Sequence, residues 1–153
     1  MKIDSSKILI NDDLVGQFVS ALNKVRWVPG SAVGLGSLVK GELRGGVIFE
    51  KYTGVGGSTQ LHVAGYGYWA TPNFLWHVFH YCFEALKVFK ILGIVDSGNI
   101  AACRFDEHIG FYRECVITGA GRNGSDLIVY SMTRDQCRWL GSENEPSRYT
   151  SNT

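Results

Sequence analysis

No stretch of this chain constrains its fold as tightly as ILGIVDSGNIAACRFDEHIGFYRE, from Ile91 to Glu114, which reads as strand, turn, helix, strand. Ile91, Leu92, Ile94 and Val95 form a short apolar run suited to a strand buried on both faces. Asp96, Ser97 and Gly98 break it, and Asn99 then stands where a helix N-cap belongs, its side chain able to accept from a free backbone N–H. Ala102, Phe105 and Ile109 follow at helical spacing, with Arg104, Asp106, Glu107 and His108 on the wetter face. Gly110 is placed to end the helix in a left-handed conformation, and Phe111 and Tyr112 begin the next strand.

The rest of the chain must supply a core around this unit. With 153 residues, 45% of them apolar and 19% charged, the expectation is one packed domain and not a disordered chain. The net charge of +1 gives no electrostatic footprint for nucleic acid or an anionic membrane. Cys82, Cys103, Cys115 and Cys137 show neither CxxC nor zinc spacing and read as reduced thiols of a cytosolic protein. The N-terminal apolar run, Ile8 to Ile10, is too short for a signal peptide or a membrane span. Nineteen glycines, clustered between Gly30 and Gly67, point to hairpins and bulges and not to a helical bundle.

In chain order, Asn11 is a candidate N-cap for a helix carrying Asp12 and Asp13 in its first turn and ending near Asn23. Three antiparallel strands are expected at 35–40, 46–52 and 59–65, with Gly41 and Gly45-Gly46 bracketing a tight connection. On the third, Gln60, His62 and Ala64 face one way and Leu61, Val63 and Gly65 the other. Gly65 and Gly67 suggest a bulge or a close backbone approach. Thr71 as N-cap and Pro72 at the first position open the longest helix, whose stripe of Phe74, Leu75, Val78, Phe79, Cys82, Phe83 and Leu86 runs to about Lys87. Its N-terminus is a natural anion site. His77 and His80 lie one turn apart but have no evident third ligand, so no metal site is read there. Residues 111–118 and 126–132 read as a hairpin, 134–140 as a closing helical turn, and 141–153 as a polar tail.

The pattern Asn99-x-x-Ala102-x-x-Phe105-x-x-x-x-Gly110-Phe111 after an apolar strand resembles the acyl-CoA binding core of GNAT-family N-acetyltransferases. The resemblance runs more weakly from about Leu35 to Leu140 and is nearest to small GNAT-like proteins of tailed bacteriophages. Those share a similar ending, here Asn123-Gly124-Ser125-Asp126-Leu127-Ile128-Val129-Tyr130-Ser131-Met132 followed by Arg134 and Cys137-Arg138-Trp139. It implies an α/β (α+β) GNAT fold: a mixed central sheet splayed between its two parallel middle strands, helices on both faces, one domain over 1–140 and a tail over 141–153. Acetyl-CoA would be the cosubstrate, its pantetheine arm lying between Ala64–Trp69 and Ile94–Asp96. The resemblance implies contacts to it from Ala64, Tyr66, Thr71, Pro72, Asn73, Asn99, Ala102 and Phe105. The chain departs from the family at the phosphate loop, where Trp69-Ala70-Thr71-Pro72-Asn73-Phe74 has no glycine and no cation, which predicts weaker CoA binding.

Acyl transfer to an amine needs a neutral amine, a polarised carbonyl and a leaving thiolate. A backbone N–H between Ala64 and Gly67 is the expected oxyanion donor. His62 is the first candidate base and Glu50, on the adjacent strand, the second. At the position where many family members carry an acidic Tyr this chain has Phe105, which has no proton to give. The expected function is transfer of an acetyl group from acetyl-CoA to a primary amine whose identity is not legible. The alternative is a catalytically degenerate GNAT-fold phage virion or assembly protein working through protein contacts. Expected partners are the amine, a protein held through the C-terminal tail, and a second copy of the chain, with no nucleic acid and no membrane. The expected setting is the host cytoplasm, or the virion in the alternative.

Overall fold

The computed structural model of the chain describes residues 6–146. Seven strands form one mixed sheet in the order β1-β2-β3-β4-β5-β7-β6. They are β1 (Ser6–Ile10), β2 (Val33–Val39), β3 (Glu42–Glu50), β4 (Ser58–Gly65), β5 (Lys90–Asp96), β6 (Tyr112–Ile117) and β7 (Leu127–Thr133). The helices are α1 (Asp12–Leu22), α2 (Pro72–His80) and α3 (Ile100–Ile109). The expected tail 147–153 lies outside the described residues.

Local chemistry places the helix starts where the sequence puts them. Asn11 caps α1 by accepting from Leu14 N at 3.0 Å, and Asn99 caps α3 by accepting from Ala102 N at 3.2 Å. Each such cap is worth about 1 kcal/mol. Gly110 ends α3 at φ 106°, a left-handed conformation that suits glycine. Arg138 donates to His108 O, and Trp139 Nε1 donates to Ile109 O at 2.7 Å. The Cys137-Arg138-Trp139 ending thus satisfies carbonyls left free at the C-terminus of α3. Helix α2 begins at the Thr71 cap but leaves α geometry at Tyr81–Ala85, a π-helical turn, before Lys87 turns left-handed.

Four expectations need correction. β1 was read as no more than a short apolar run; a five-residue edge strand carries little local signal, and it exists through pairing with β2, from Ser6↔Val39 to Ile10↔Leu35. Gly45 and Gly46 do not make the β2–β3 turn; Lys40 and Gly41, both at positive φ, do. The two glycines lie inside β3 because Trp69 covers Gly45 and Val15 and Val19 cover Gly46. The closing turn at 134–140 shortens to a 3₁₀ turn at Arg134–Gln136, held by a capping box between Thr133 and Gln136. Finally, 141–146 does not trail away: Asn73 Nδ2 donates to Asn144 O at 3.2 Å, Asn144 Nδ2 to Trp139 O at 3.2 Å, and Pro146 is buried.

The sheet divides two cores. Val15 and Val19 of α1 pack on Ile48 on one face. On the other, α2 and α3 cover a larger cluster that includes Phe74, Phe79, Ile91, Ile109, Tyr130 and Met132. Only β4 and β5 are parallel, and they pair at just three positions: Ser58↔Lys90, Thr59↔Ile91 and Gln60↔Leu92. Beyond Gln60, β4 stays with β3 as far as Gly65 and β5 stays with β7 as far as Asp96, so the sheet opens between them. The splayed mixed sheet with helices on both faces is the architecture expected from the resemblance.

Candidate active site

The opening is lined by main-chain groups whose direction follows from the β3–β4 ladder. Tyr66 N donates to Arg44 O at 2.7 Å, and Gly45 pairs with Gly65. Antiparallel alternation then turns the main-chain groups of Ala64 and His62 toward β3 and those of Val63 and Gly65 into the gap. Asn23 Nδ2 accordingly reaches Val63 O at 3.2 Å from the α1 side. The bulge anticipated at Gly65–Gly67 is absent, since the β3–β4 register runs unbroken; the sheet's irregularities fall between Ser37 and Leu38 and between Arg113 and Cys115. The close approach is there instead: a Cβ on Gly65 would sit 2.3 Å from Trp69 Nε1, and one on Gly45 would sit 2.0 Å from Trp69 Cδ2.

A cleft of about 910 Å³ fills the gap. Leu61, His62 and Val63 of β4 form one wall and Ile94, Val95 and Asp96 of β5 the other. Asn99, Ala102 and Asp106 of α3 close it on one face; Leu22 to Val25 and the loop at Ala120–Asn123 form its rim on the other. His62 also lines a second cavity of about 250 Å³ with Val19, Asn23, Arg26, Trp27 and Glu50. His62 Nε2 and Glu50 Oε1 are 2.7 Å apart. A carboxylate only accepts, so in this bond Nε2 donates its hydrogen to Glu50, which leaves Nδ1 as the ring nitrogen turned away from the carboxylate. The two candidate bases are therefore one hydrogen-bonded pair.

Of the residues expected to contact acetyl-CoA, Asn99 and Ala102 stand in the cleft wall. The others lie outside that lining. Ala64 packs toward α1, and Tyr66, 54% exposed, meets Phe18 edge to face at 6.1 Å. Thr71 Oγ1 accepts from Phe74 N at 3.2 Å, Pro72 fills the first helical position without an N–H, and Asn73 is engaged with Asn144. Phe105 stacks on Trp69 at 5.4 Å and 13°. Open space thus lies between the splayed strands. The start of α2 instead carries a proline, an Asn73 bonded to Asn144 and a Trp69–Phe105 stack beside it.

Two carboxylates in this wall carried no assigned role in the sequence reading. Asp96 accepts from Arg122 N at 2.7 Å, Gly98 N at 2.9 Å and Ser125 Oγ at 2.8 Å. These bonds, that of Arg122 foremost, hold it below the usual carboxylate range. Asp106 is buried, and loss of hydration, with a smaller push from Glu107, raises it to about 7. The sequence reading put Asp106 on the wetter face of α3; it is buried instead, because Gly93 on the facing strand leaves room for it, and only its helical spacing from Asn99 could have pointed there. His77 and His80 pack on Trp76, at 5.3 and 4.4 Å between rings. Among the described residues no group of three His, Cys, Asp or Glu could hold a metal ion, and no helix is long and apolar enough to cross a membrane.

No protein-family model matches the sequence, and no curated protein matches it. Solved structures do match. A variant of the spermidine N-acetyltransferase SpeG from Vibrio cholerae superposes with a TM-score of 0.69 at 14% identity, over 92% of this chain and 99% of that one. The ribosomal-protein-S5-alanine acetyltransferase of Vibrio fischeri gives 0.66 at 12% identity, over 90% and 98%. A protein described as a probable acetyltransferase gives 0.58 at 20% identity over 69% of this chain, which spans 63% of that one, less than two thirds of its length. At these identities the likeness is one of fold.

Proposed function

We propose, with the fold of GNAT acetyltransferases as premise, that this chain transfers an acetyl group from acetyl-CoA to a primary amine. One observation carries the reading: His62, bonded to Glu50, is a wall both of the cleft between the splayed strands and of the smaller cavity beneath α1. The thioester would enter the cleft along Asn99 and Ala102, and the amine would sit in the smaller cavity. His62 takes a proton from the ammonium, with Glu50 fixing the imidazole and offsetting its charge. The main-chain N–H groups of Val63 and Gly65, which face the gap, polarise the thioester carbonyl. The named solved neighbours act on spermidine and on a protein's alanine, both amine acceptors, which supports this acceptor class. The C-terminal signature shared with phage GNAT-like proteins supports a phage-encoded enzyme at work in the host cytoplasm.

Calorimetric titration with acetyl-CoA tests it, followed by transfer assays on spermidine and an alanine-terminated peptide. The expected result is saturable binding that Asn99→Ala weakens, and transfer that His62→Ala slows by about 100-fold without loss of acetyl-CoA binding. Folded protein that binds no acetyl-CoA at millimolar concentration would overturn the reading in favour of a degenerate virion or assembly protein.

A further inference from the structure

Among the buried polar side chains of the described residues, Asp106 is the single charged type, at 4% exposure. Buried carboxyls are normally held by an ion pair or by several donors. None of the described residues donates a hydrogen bond to this one. Its place is made by a missing side chain on the facing strand: a Cβ on Gly93 of β5 would lie 3.0 Å from Asp106 Oδ2. Asp106 shares one helical face with Asn99 and Ala102, and all three line the cleft. Phe105, one residue earlier, turns aside to stack on Trp69.

The acidic and imidazole groups around it are committed elsewhere. On α3 itself, Glu107 pairs with Arg113 of β6 at 3.7 Å. On β5, Asp96 is tied to loop amides; on β4, His62 is tied to Glu50. Lys24 and Arg122 sit on the far rim of the cleft, where Arg122 Nη2 reaches Lys24 O at 3.5 Å. On β7, Tyr130 is fully buried behind Gly93. Among the described residues nothing pairs with a negative charge on Asp106, so its proton is retained to about pH 7.

We propose that Asp106 is the proton donor to the departing thiolate, reaching the cleft from α3 while His62 faces it from β4. This role rests on the acyltransferase reading. The ammonium gives one proton to His62, the freed amine attacks the thioester carbon, and a C–N bond forms. As the adduct collapses, the C–S bond breaks, sulfur takes the proton of Asp106, and nitrogen releases its second proton to water. Solvent then returns a proton to Asp106 and removes one from His62. The products are an amide, a free thiol and one net proton.

The carboxyl carbons of ¹³C-aspartate-labelled protein report the titration, with Asp106 assigned by its loss in Asp106→Asn. Transfer to spermidine or the alanine-terminated peptide is then compared for acetyl-CoA and for S-acetyl nitrothiophenol, whose aromatic thiolate leaves without a proton. The expected result is a titration near pH 7, and a roughly 100-fold loss with acetyl-CoA in Asp106→Asn. The loss should be absent with the aromatic thioester, and Asp106→Glu should recover part of the rate. A titration near pH 4, or equal slowing on both donors, overturns the role while leaving the acyltransferase reading intact. Wild-type protein that binds no acetyl-CoA overturns both, and the titration curve does not depend on that outcome.

Discussion

At the scale of single residues, the chain keeps an acid in its core at a cost. The Asp106 carboxyl moves from an ordinary 3.8 to about 7. Between those values the unfolded chain has lost the proton and the folded chain retains it. Stability therefore falls as pH rises through that window and levels off above it. At about 1.4 kcal/mol per pH unit the full loss is on the order of 4 kcal/mol. The stability of Asp106→Asn relative to the wild type should be greater by about 2–3 kcal/mol near pH about 8 than near pH about 5, as read by urea unfolding at both. A relative stability that is the same at both pH values would contradict the burial argument. Asp96 behaves in the opposite sense. Its carboxyl is lowered by donors, so what it contributes is present above the ordinary carboxylate range and is lost as pH falls through its depressed value.

Among the elements, two contacts decide the shape of the cleft. The first is the Trp69 indole, 5% exposed, laid over Gly45 and Gly65 and held by Phe74 and Phe105. Gly65→Ala would push a methyl group into a ring with nowhere to move, which should cost about 1–3 kcal/mol in denaturant unfolding. The same change in a Trp69→Ala background should cost clearly less, because the collision has gone. The second is the loop at Gly119–Ser125, fastened to β5 by Asp96. Asp96→Ala should speed hydrogen exchange of the Gly98 and Arg122 amides while leaving α2 amides protected. Unchanged exchange at Arg122 would mean that the loop is held by other contacts.

For the whole molecule, the C-terminal segment closes the structure. Trp139 and Arg138 bind the end of α3, and Asn144 binds Asn73 in the first turn of α2. Truncation after Leu140 should lower the melting temperature by about 4 °C, the equivalent of roughly 1 kcal/mol. No change in melting would show that Pro146 and Asn144 add nothing to stability. Much of this architecture was legible along the chain. Asn11, Thr71, Asn99 and Gly110 mark helix ends by local hydrogen bonding and backbone freedom, and the apolar stripe from Phe74 to Phe83 needs no partner to be recognised. The strand carrying His62 beside Glu50 was also readable, since period-two alternation sorts residues to faces. What depended on distant residues was not. The unbroken register that replaced the bulge, the edge strand β1 and the packing of 141–146 all arise from pairing across the chain. So does the carboxyl of Asp106, which gained its buried place only because Gly93, on another element, leaves room for it. Local sequence determines caps, periods and faces because those interactions span a few residues. The cleft and its protonation belong to the tertiary structure, because desolvation and close approach are properties of neighbours that folding brings together.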